Sequence, residues 1–394
     1  MSLNNTPAAD RIHIGIFGRR NAGKSSVINA ITDQNLAIVS EIKGTTTDPV
    51  LKTMELLPLG PVMIIDTPGL DDVGELGALR IQKAYQILNK TDIAVLIVDG
   101  TLGMTPEDEA ILARIKDKAI PCVIVMNKLD MVAPPAKTID GDTIWVSAKT
   151  RENIYELKEL IASHAPEEDK NHRIVGDLLA PSDFVILVVP IDKAAPKGRL
   201  ILPQQQTIRD ILEADAVSIV VKENELANTL ARLGQKPRMV ITDSQVFAHV
   251  SQVTPREIPL TSFSILFARY KGLLADAVKG AELLDKLQDG DKVLISEGCT
   301  HHRQCDDIGT VKLPRLIKNF TGKDLTFEFT SGTEFPLDLE GYKLIVHCGG
   351  CMLNDREMRY RLKCAQDAGI PMTNYGIVMA HIQGILARCI EIFD

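Results

Sequence analysis

Two stretches of the chain carry residues whose types and spacing can do chemistry. In "HCGGC" His347 precedes a Cys348-x-x-Cys351 pair, and in "SEGCTHHRQC" Cys299 is followed by His301 and His302. Three thiolates with adjacent imidazoles are soft metal ligands. A Cys₃His zinc site, a Cys348–Cys351 exchange pair and an iron–sulfur cluster all use such residues. Spacing alone does not separate zinc from a cluster. Structural zinc usually arrives as two Cys-x₂₋₄-Cys knuckles, and only one is present, which favours a cluster. An exchange pair would leave Cys299 and the histidines without a role. His301, His347, Asp306 and an exogenous group stay open as a fourth ligand, and Cys305 is an extra thiol with no assigned part.

Far upstream, "GRRNAGKSS" sets Gly18-x-x-x-x-Gly23-Lys24-Ser25 after an apolar strand and at the start of a helical pattern, where a P-loop must sit. Its backbone N–H groups and the helix N-terminus suit phosphates. Gly18, Asn21, Gly23, Lys24, Ser25 and Ser26 line that loop, with Lys24 expected on the β- and γ-phosphates and Ser25 on Mg2+. "NKLD" and "VSAK" decide the base. Asp130 can accept two hydrogen bonds from guanine, whereas adenine would leave a buried carboxylate unpaired. Asn127 is expected to hold the loops, Lys128 to cover the ring and the Ala148 N–H to meet the guanine oxygen, with Ser147 and Lys149 beside it. In "DTPG", Asp66 supplies a magnesium-side carboxylate and Gly69 a γ-phosphate amide. Thr46 of "GTTTD", flanked by Thr45 and Thr47, is the expected switch threonine and second magnesium ligand. The ordered set predicts a GTPase.

The elements that must position these residues follow from periodicity. Residues 11 to about 165 alternate apolar strands with helical segments, which predicts a mostly parallel sheet covered on both faces. The charged stretch "HAPEEDKNHR" then marks a linker. Strands "FVILVVPI", "VSIVV" and "RMVITDS" follow, with helices "QQQTIRDILEA" and "NELANTLARLG" and no visible chemistry. Gln204, Gln205 and Gln206 read as a polar helix start, and Asp243 and His249 as capping or surface residues. The pattern restarts at "KVLISEG", "LTFEFTSG", "YKLIVHCGG" and "IPMTNYG", a second small parallel sheet whose strand ends present the cysteine loops as neighbours. The expected class is α/β: a P-loop GTPase domain at 1–168, then two smaller α/β domains at 172–262 and 263–394.

Composition bounds the partners. A chain of 394 residues is too long for one core, and its longest apolar runs are strand-length, too short to span a bilayer. The N-terminus lacks a signal-peptide core, so no membrane partner and a cytoplasmic location are expected. A net charge of −8 argues against a nucleic-acid partner. Seven cysteines in such a chain do not suggest a disulfide framework; Cys122, Cys364 and Cys389 read as apolar residues.

Two resemblances narrow this. Asn21 matches the P-loop asparagine of TrmE-like and Era-like GTPases, which implies a K+ ion beside the phosphates, and Leu70 stands where Ras-like proteins place a water-orienting glutamine. A TrmE-like GTPase joined to "CTH" at 299–301 and "HCGGC" at 347–351 resembles the FeFe-hydrogenase maturation GTPase family (HydF). That resemblance implies GTP/GDP turnover and a 4Fe-4S cluster on Cys299, Cys348 and Cys351. It also implies a scaffold for the diiron subcluster, with two radical-SAM maturases and the apo FeFe-hydrogenase as partners, and a middle homodimer domain. The competing expectation is a TrmE- or Era-like RNA-modification or ribosome-assembly GTPase with a zinc site.

Overall fold

The computed structural model describes residues 11–32, 50–67, 87–133, 135–166, 173–191, 200–298, 307–332, 335–336, 338–351 and 353–393. Thr45, Thr46, Thr47, Gly69, Leu70, Cys299, His301, His302, Cys305 and Asp306 lie outside them. The chain forms two compact units, Met1–Glu168 and Asp169–Asp394.

The first unit runs β1 (Ile12–Phe17), α1 (Lys24–Thr32), β2 (Val50–Leu56), β3 (Gly60–Asp66), β4 (Ile93–Asp99), α2 (Pro106–Asp117), β5 (Cys122–Asn127), β6 (Ile139–Asp140), β7 (Thr143–Trp145) and α3 (Ile154–Ser163). The sheet order is β2-β3-β1-β4-β5-β7-β6, parallel except for the outer strands β2 and β6. Parallel strands are covered on both faces, which is why β4, "IAVLIVD", is apolar along its whole length and buried at every position but the last. One face packs on α1 and α3 through Val27, Ile28, Leu157 and Ile161; the other packs on α2 through Ile111 and Ile115. Helix α2 starts where Thr105 and Asp108 close a reciprocal cap and Pro106 pre-sets the first turn.

The second unit contains β8 (Phe184–Val188), α4 (Leu202–Glu213), β9 (Val217–Val221), α5 (Leu226–Arg232), β10 (Met239–Thr242), α6 (Phe247–Val253), β11 (Leu260–Ser262), α7 (Phe263–Tyr270) and α8 (Leu274–Glu282). It continues through β12 (Lys292–Ser296), α9 (Leu313–Thr321), β13 (Thr326–Thr330), β14 (Tyr342–His347), α10 (Asp355–Asp367), β15 (Met372–Asn374), α11 (Tyr375–Ile382) and α12 (Leu386–Ile390). These strands make two four-stranded parallel sheets, β11-β10-β8-β9 and β13-β12-β14-β15. Helix α7, beginning at Phe263, packs Phe263, Leu266 and Phe267 on the first of these sheets. One apolar cluster also joins Val188 and Val240 of that sheet to Ala277, Ala281, Ile377 and Ala380, so the stretches on either side of residue 262 share a core.

Strands β12 and β14 are the central pair of the last sheet. Their side chains alternate between two cores. Val293, Ile295, Leu344 and Val346 face Leu313 and Ile317 of α9, while Leu294 and Ile345 face Met358 and Ala365 of α10. Helices α6 and α9 are absent from the sequence reading. Helix α9 is short, follows the histidine-rich stretch and carries Pro314 in its first turn, which reads as a break until it is seen as a helix start.

Candidate functional site

The nucleotide loops lie at the C-terminal ends of β1, β3, β5 and the segment after β7. Gly18 and Gly23 have φ values of 143° and 94°, and a Cβ at Gly23 would stand 2.2 Å from Asn127 Nδ2. Close approach therefore requires glycine there. Asn21, exposed, also takes a left-handed φ of 62°. Ser25 and Ser26 open α1 directly behind Lys24, whose ammonium donates to the Gly18 and Arg19 carbonyls at 2.8 Å each. Asn127, 3% exposed, ties three loops together: its Nδ2 donates to the Ala22 carbonyl at 3.0 Å, and its Oδ1 accepts from the Ala148 N–H at 3.1 Å. The Ala148 N–H, the expected base contact, is thus engaged by Asn127 at the loop junction.

Asp130 accepts from the Ser147 hydroxyl at 2.7 Å and has Lys149 Nζ at 3.9 Å, so its carboxylate is aimed by a neighbouring motif residue. Lys128 pairs with Asp99 at 2.5 Å, a partner at the end of β4 that the motif reading did not contain. Asp66 ends β3 level with Ile16 of β1. Burial pushes its carboxyl above the usual range, against the pull of Lys24 and Lys52. Its Oδ1 is buried with no hydrogen-bond partner among the described residues. An orphaned carboxylate oxygen beside a P-loop fits a divalent cation.

The cysteine end is built on the central pair of the last sheet. Ser296 of β12 stands beside His347 of β14, and the Cys348 N–H donates to the Ser296 carbonyl at 2.9 Å. Cys348 Sγ accepts the N–H of Gly298 at 3.0 Å and of Gly350 at 3.4 Å. Gly298, two residues beyond β12 and immediately before Cys299, thus meets the Cys348 loop beside the end of the adjacent parallel strand β14. Gly350 has a φ of 62°, and a Cβ there would lie 2.6 Å from Met358 Sδ. Cys348 and Cys351 are free, and burial pushes both thiols above their ordinary range, against the Gly298 and Gly350 N–H groups at Cys348 and Lys271 at Cys351. Among the described residues no third His, Cys, Asp or Glu joins them in a ligating group.

His347 is fully buried, and both ring nitrogens are engaged. Arg361 Nη1 lies 3.0 Å from Nε2, and Nδ1 lies 2.6 Å from the Cys348 carbonyl. Because arginine only donates, Nε2 accepts and Nδ1–H is the donor. Burial and the guanidinium hold the imidazole neutral, with its pKa lowered to about 3. Of the open candidates for a fourth ligand, His347 is thus occupied as a support of its own loop. Arg361, itself fully buried, is the residue the sequence did not reveal. It pairs with Glu357 at 3.0 Å, reaches Ser296 Oγ at 3.4 Å and the Gly332 carbonyl at 3.0 Å, and lies over the Phe335 ring at 5.2 Å. One guanidinium thereby pins the ends of β12 and β14 and the turn after β13. Helical spacing is its only trace in the sequence: Glu357, Arg361 and Ala365 fall on one buried face of α10.

The fold and the nucleotide loops define a P-loop GTPase with an appended pair of small parallel-sheet layers. Comparison with known proteins agrees. Residues 13–128 match a family model described as 50S ribosome-binding GTPase. Residues 174–272 match the hydrogen maturase F dimerization domain, and residues 275–392 match the hydrogen maturase F tetramerization domain. The last two together span more than half of the chain, and the protein belongs to the hydrogen maturase F family as a GTPase that forms oligomers. Among curated relatives, the tRNA modification GTPase MnmE of Nitrosospira multiformis is 36% identical over 157 residues, 38% of this chain and 34% of that one. The MnmE of Hydrogenovibrio crunogenus is 36% identical over 151 residues, 36% and 32% of the two chains. The chain spans about a third of the length of these relatives. Among solved structures, Aquifex aeolicus Era bound to GDP.AlF4- is similar at 21% identity and a TM-score of 0.35, covering 56% of this chain and 98% of that one. Among the described residues no helix is long and apolar enough to cross a membrane.

Proposed function

We propose that this GTPase is a scaffold and carrier in hydrogenase maturation, acting in the cytoplasm. Cys299, Cys348 and Cys351 hold a 4Fe-4S cluster. The cargo is the diiron subcluster precursor made by two radical-SAM maturases and delivered to the apo FeFe-hydrogenase. The observation that carries the reading is the Gly298 N–H on Cys348 Sγ, which sets the residue preceding Cys299 against the first thiol of "HCGGC". The donor set fits: a part-buried Cys348 thiol already accepting two backbone N–H bonds, with Cys351 on the same loop next to a buried guanidinium, suits thiolate ligation of iron. When bound, such a cluster supplies one iron whose fourth ligand is exchangeable. The chain's own residues do the rest. Cys348 and Cys351 are held by the Gly350 turn, and His347 and Arg361 keep that loop in place.

In the first unit Lys24 serves the phosphates, Ser25, Asp66 and Thr46 the magnesium, Gly69 the γ-phosphate and Asp130 the guanine. Asn21 holds a potassium ion that supplies positive charge at the transferring phosphate. GTP turnover then biases partner association rather than performing metal chemistry. The RNA-modification alternative has only the GTPase part of the chain behind it, because the MnmE relative matches 38% of this chain. Anaerobic reconstitution of the full chain with iron and sulfide, followed by iron analysis and EPR, tests the reading. A four-iron centre per chain is expected. A stoichiometric zinc that iron and sulfide cannot displace overturns it.

A further inference from the structure

Lys271 is 5% exposed and lies one residue beyond α7, inside the segment that matches the dimerization domain. Its ammonium donates to the Gly350 carbonyl at 2.7 Å and to the Leu353 carbonyl at 3.1 Å, on either side of Cys351. Both acceptors belong to the segment that matches the tetramerization domain. Burying an ammonium is unfavourable unless its donors are satisfied, so this placement commits the side chain to the cysteine turn. Lys271 lines a groove of about 470 Å³ with Arg269, Arg359 and Lys363, and a cavity of about 20 Å³ with His347 and Cys348. Arg269 pairs with Asp177, and Lys363 with Asp367.

We propose that Lys271 is a positioning residue for the metal centre, a cationic tether by which the dimerization segment fixes the Gly350–Leu353 turn and thereby aims Cys351. The inference rests on the cluster reading given above. Thiolate ligation leaves an iron–sulfur cluster net anionic, and one-electron reduction makes it more so. A fixed cation beside the ligand turn therefore favours the reduced form, in addition to holding the turn.

Two substitutions in the full-length chain separate tether from charge. Lys271→Met removes both; Lys271→Gln keeps N–H donors but no charge. After anaerobic reconstitution, iron release to a chelator and the cluster midpoint potential by EPR-monitored titration are measured. Lys271→Met should release iron about 10- to 100-fold faster than the parent, as loss of an outer partner of a metal ligand does. Its midpoint should move to more negative potential. Lys271→Gln should retain iron more nearly like the parent while showing the same negative shift. If the parent protein binds no cluster, the functional reading fails and this inference with it. If the parent binds a cluster and Lys271→Met matches it in iron release and midpoint, only the inference fails. Should Lys271→Met not fold, an unchanged midpoint in Lys271→Gln overturns the proposal equally.

Discussion

The nucleotide loops fasten one another mainly with residues of their own motifs, whereas the cysteine loop takes its two buried cations from outside any motif. In the first unit Asn127 reaches Ala22 and Ala148, Ser147 aims Asp130, and Lys24 folds over Gly18 and Arg19. The residues proposed to bind the nucleotide and those that fix the loops thus fall in the same short sequences. In the second unit the thiols are presented by Gly350, but the strand ends beneath them are tied by Arg361 from α10 and the turn by Lys271 from the end of α7. The difference has a physical basis. Phosphate is recognised largely by backbone N–H groups and glycine conformation, so local sequence can supply nearly everything. A centre built on thiolates needs surrounding donors and charge from elsewhere in the fold.

The sharpest break of the comparison is at the thiols. Cys348→Ala or Cys299→Ala should abolish four-iron reconstitution, read by iron content and EPR, and leave GTP hydrolysis within about twofold, whereas Cys305→Ala should keep the cluster. Equal loss in Cys305→Ala would make the centre an ordinary four-cysteine one.

Next in size is the base contact. Asp130→Asn should weaken GTP binding by roughly 100-fold or more and erase its preference over ATP, measured by titration of a fluorescent nucleotide. Iron binding should not change.

Arg361→Met tests whether the cysteine end depends on its hidden cation. It leaves Glu357 buried without its partner and should destabilise the second unit by about 3–5 kcal/mol in chemical denaturation, because a lone buried charge is not compensated. Arg361→Lys keeps the charge but loses the planar fork and should fall between. A loss below about 1 kcal/mol would mean that the three strand ends need no such pin.

Smaller still, exchanging K+ for Na+ should slow GTP hydrolysis by about tenfold, and Asn21→Ala should remove the difference between the two salts. Equal rates in the parent protein would remove the potassium site and leave the GTPase untouched. The smallest effect belongs to scaffold remote from either chemistry. Thr105→Ala deletes one half of a reciprocal helix cap and should reduce stability by about 1 kcal/mol, with GTP affinity unchanged.

By itself the sequence determined the alternation of strands and helices and the P-loop GTPase domain, and it named the loops proposed to read guanine and the thiols proposed to ligate iron. Each rests on spacing within a few residues, or on apolar periodicity that local geometry imposes. Residues such as Gln204, whose carbonyl caps the Ile201 N–H, and Asp243, which caps the Gln245 N–H, were legible for the same reason. What it could not show is which cations go inside. Arg361 stands in "REMRYRLKC", where Arg359 and Lys363 stay exposed, and Lys271 in "ARYKG", beside a part-exposed Arg269, and residue type does not tell the buried cation from the exposed ones. Nor could it show that His347 is spoken for, since its partner lies fourteen positions away on a helix. Only the packing of α10 on β12 and β14, and the approach of the residue after α7 to the Gly350 turn, decided those roles. A buried charge is tolerated where several distant acceptors converge on it, and convergence is a property of the tertiary fold.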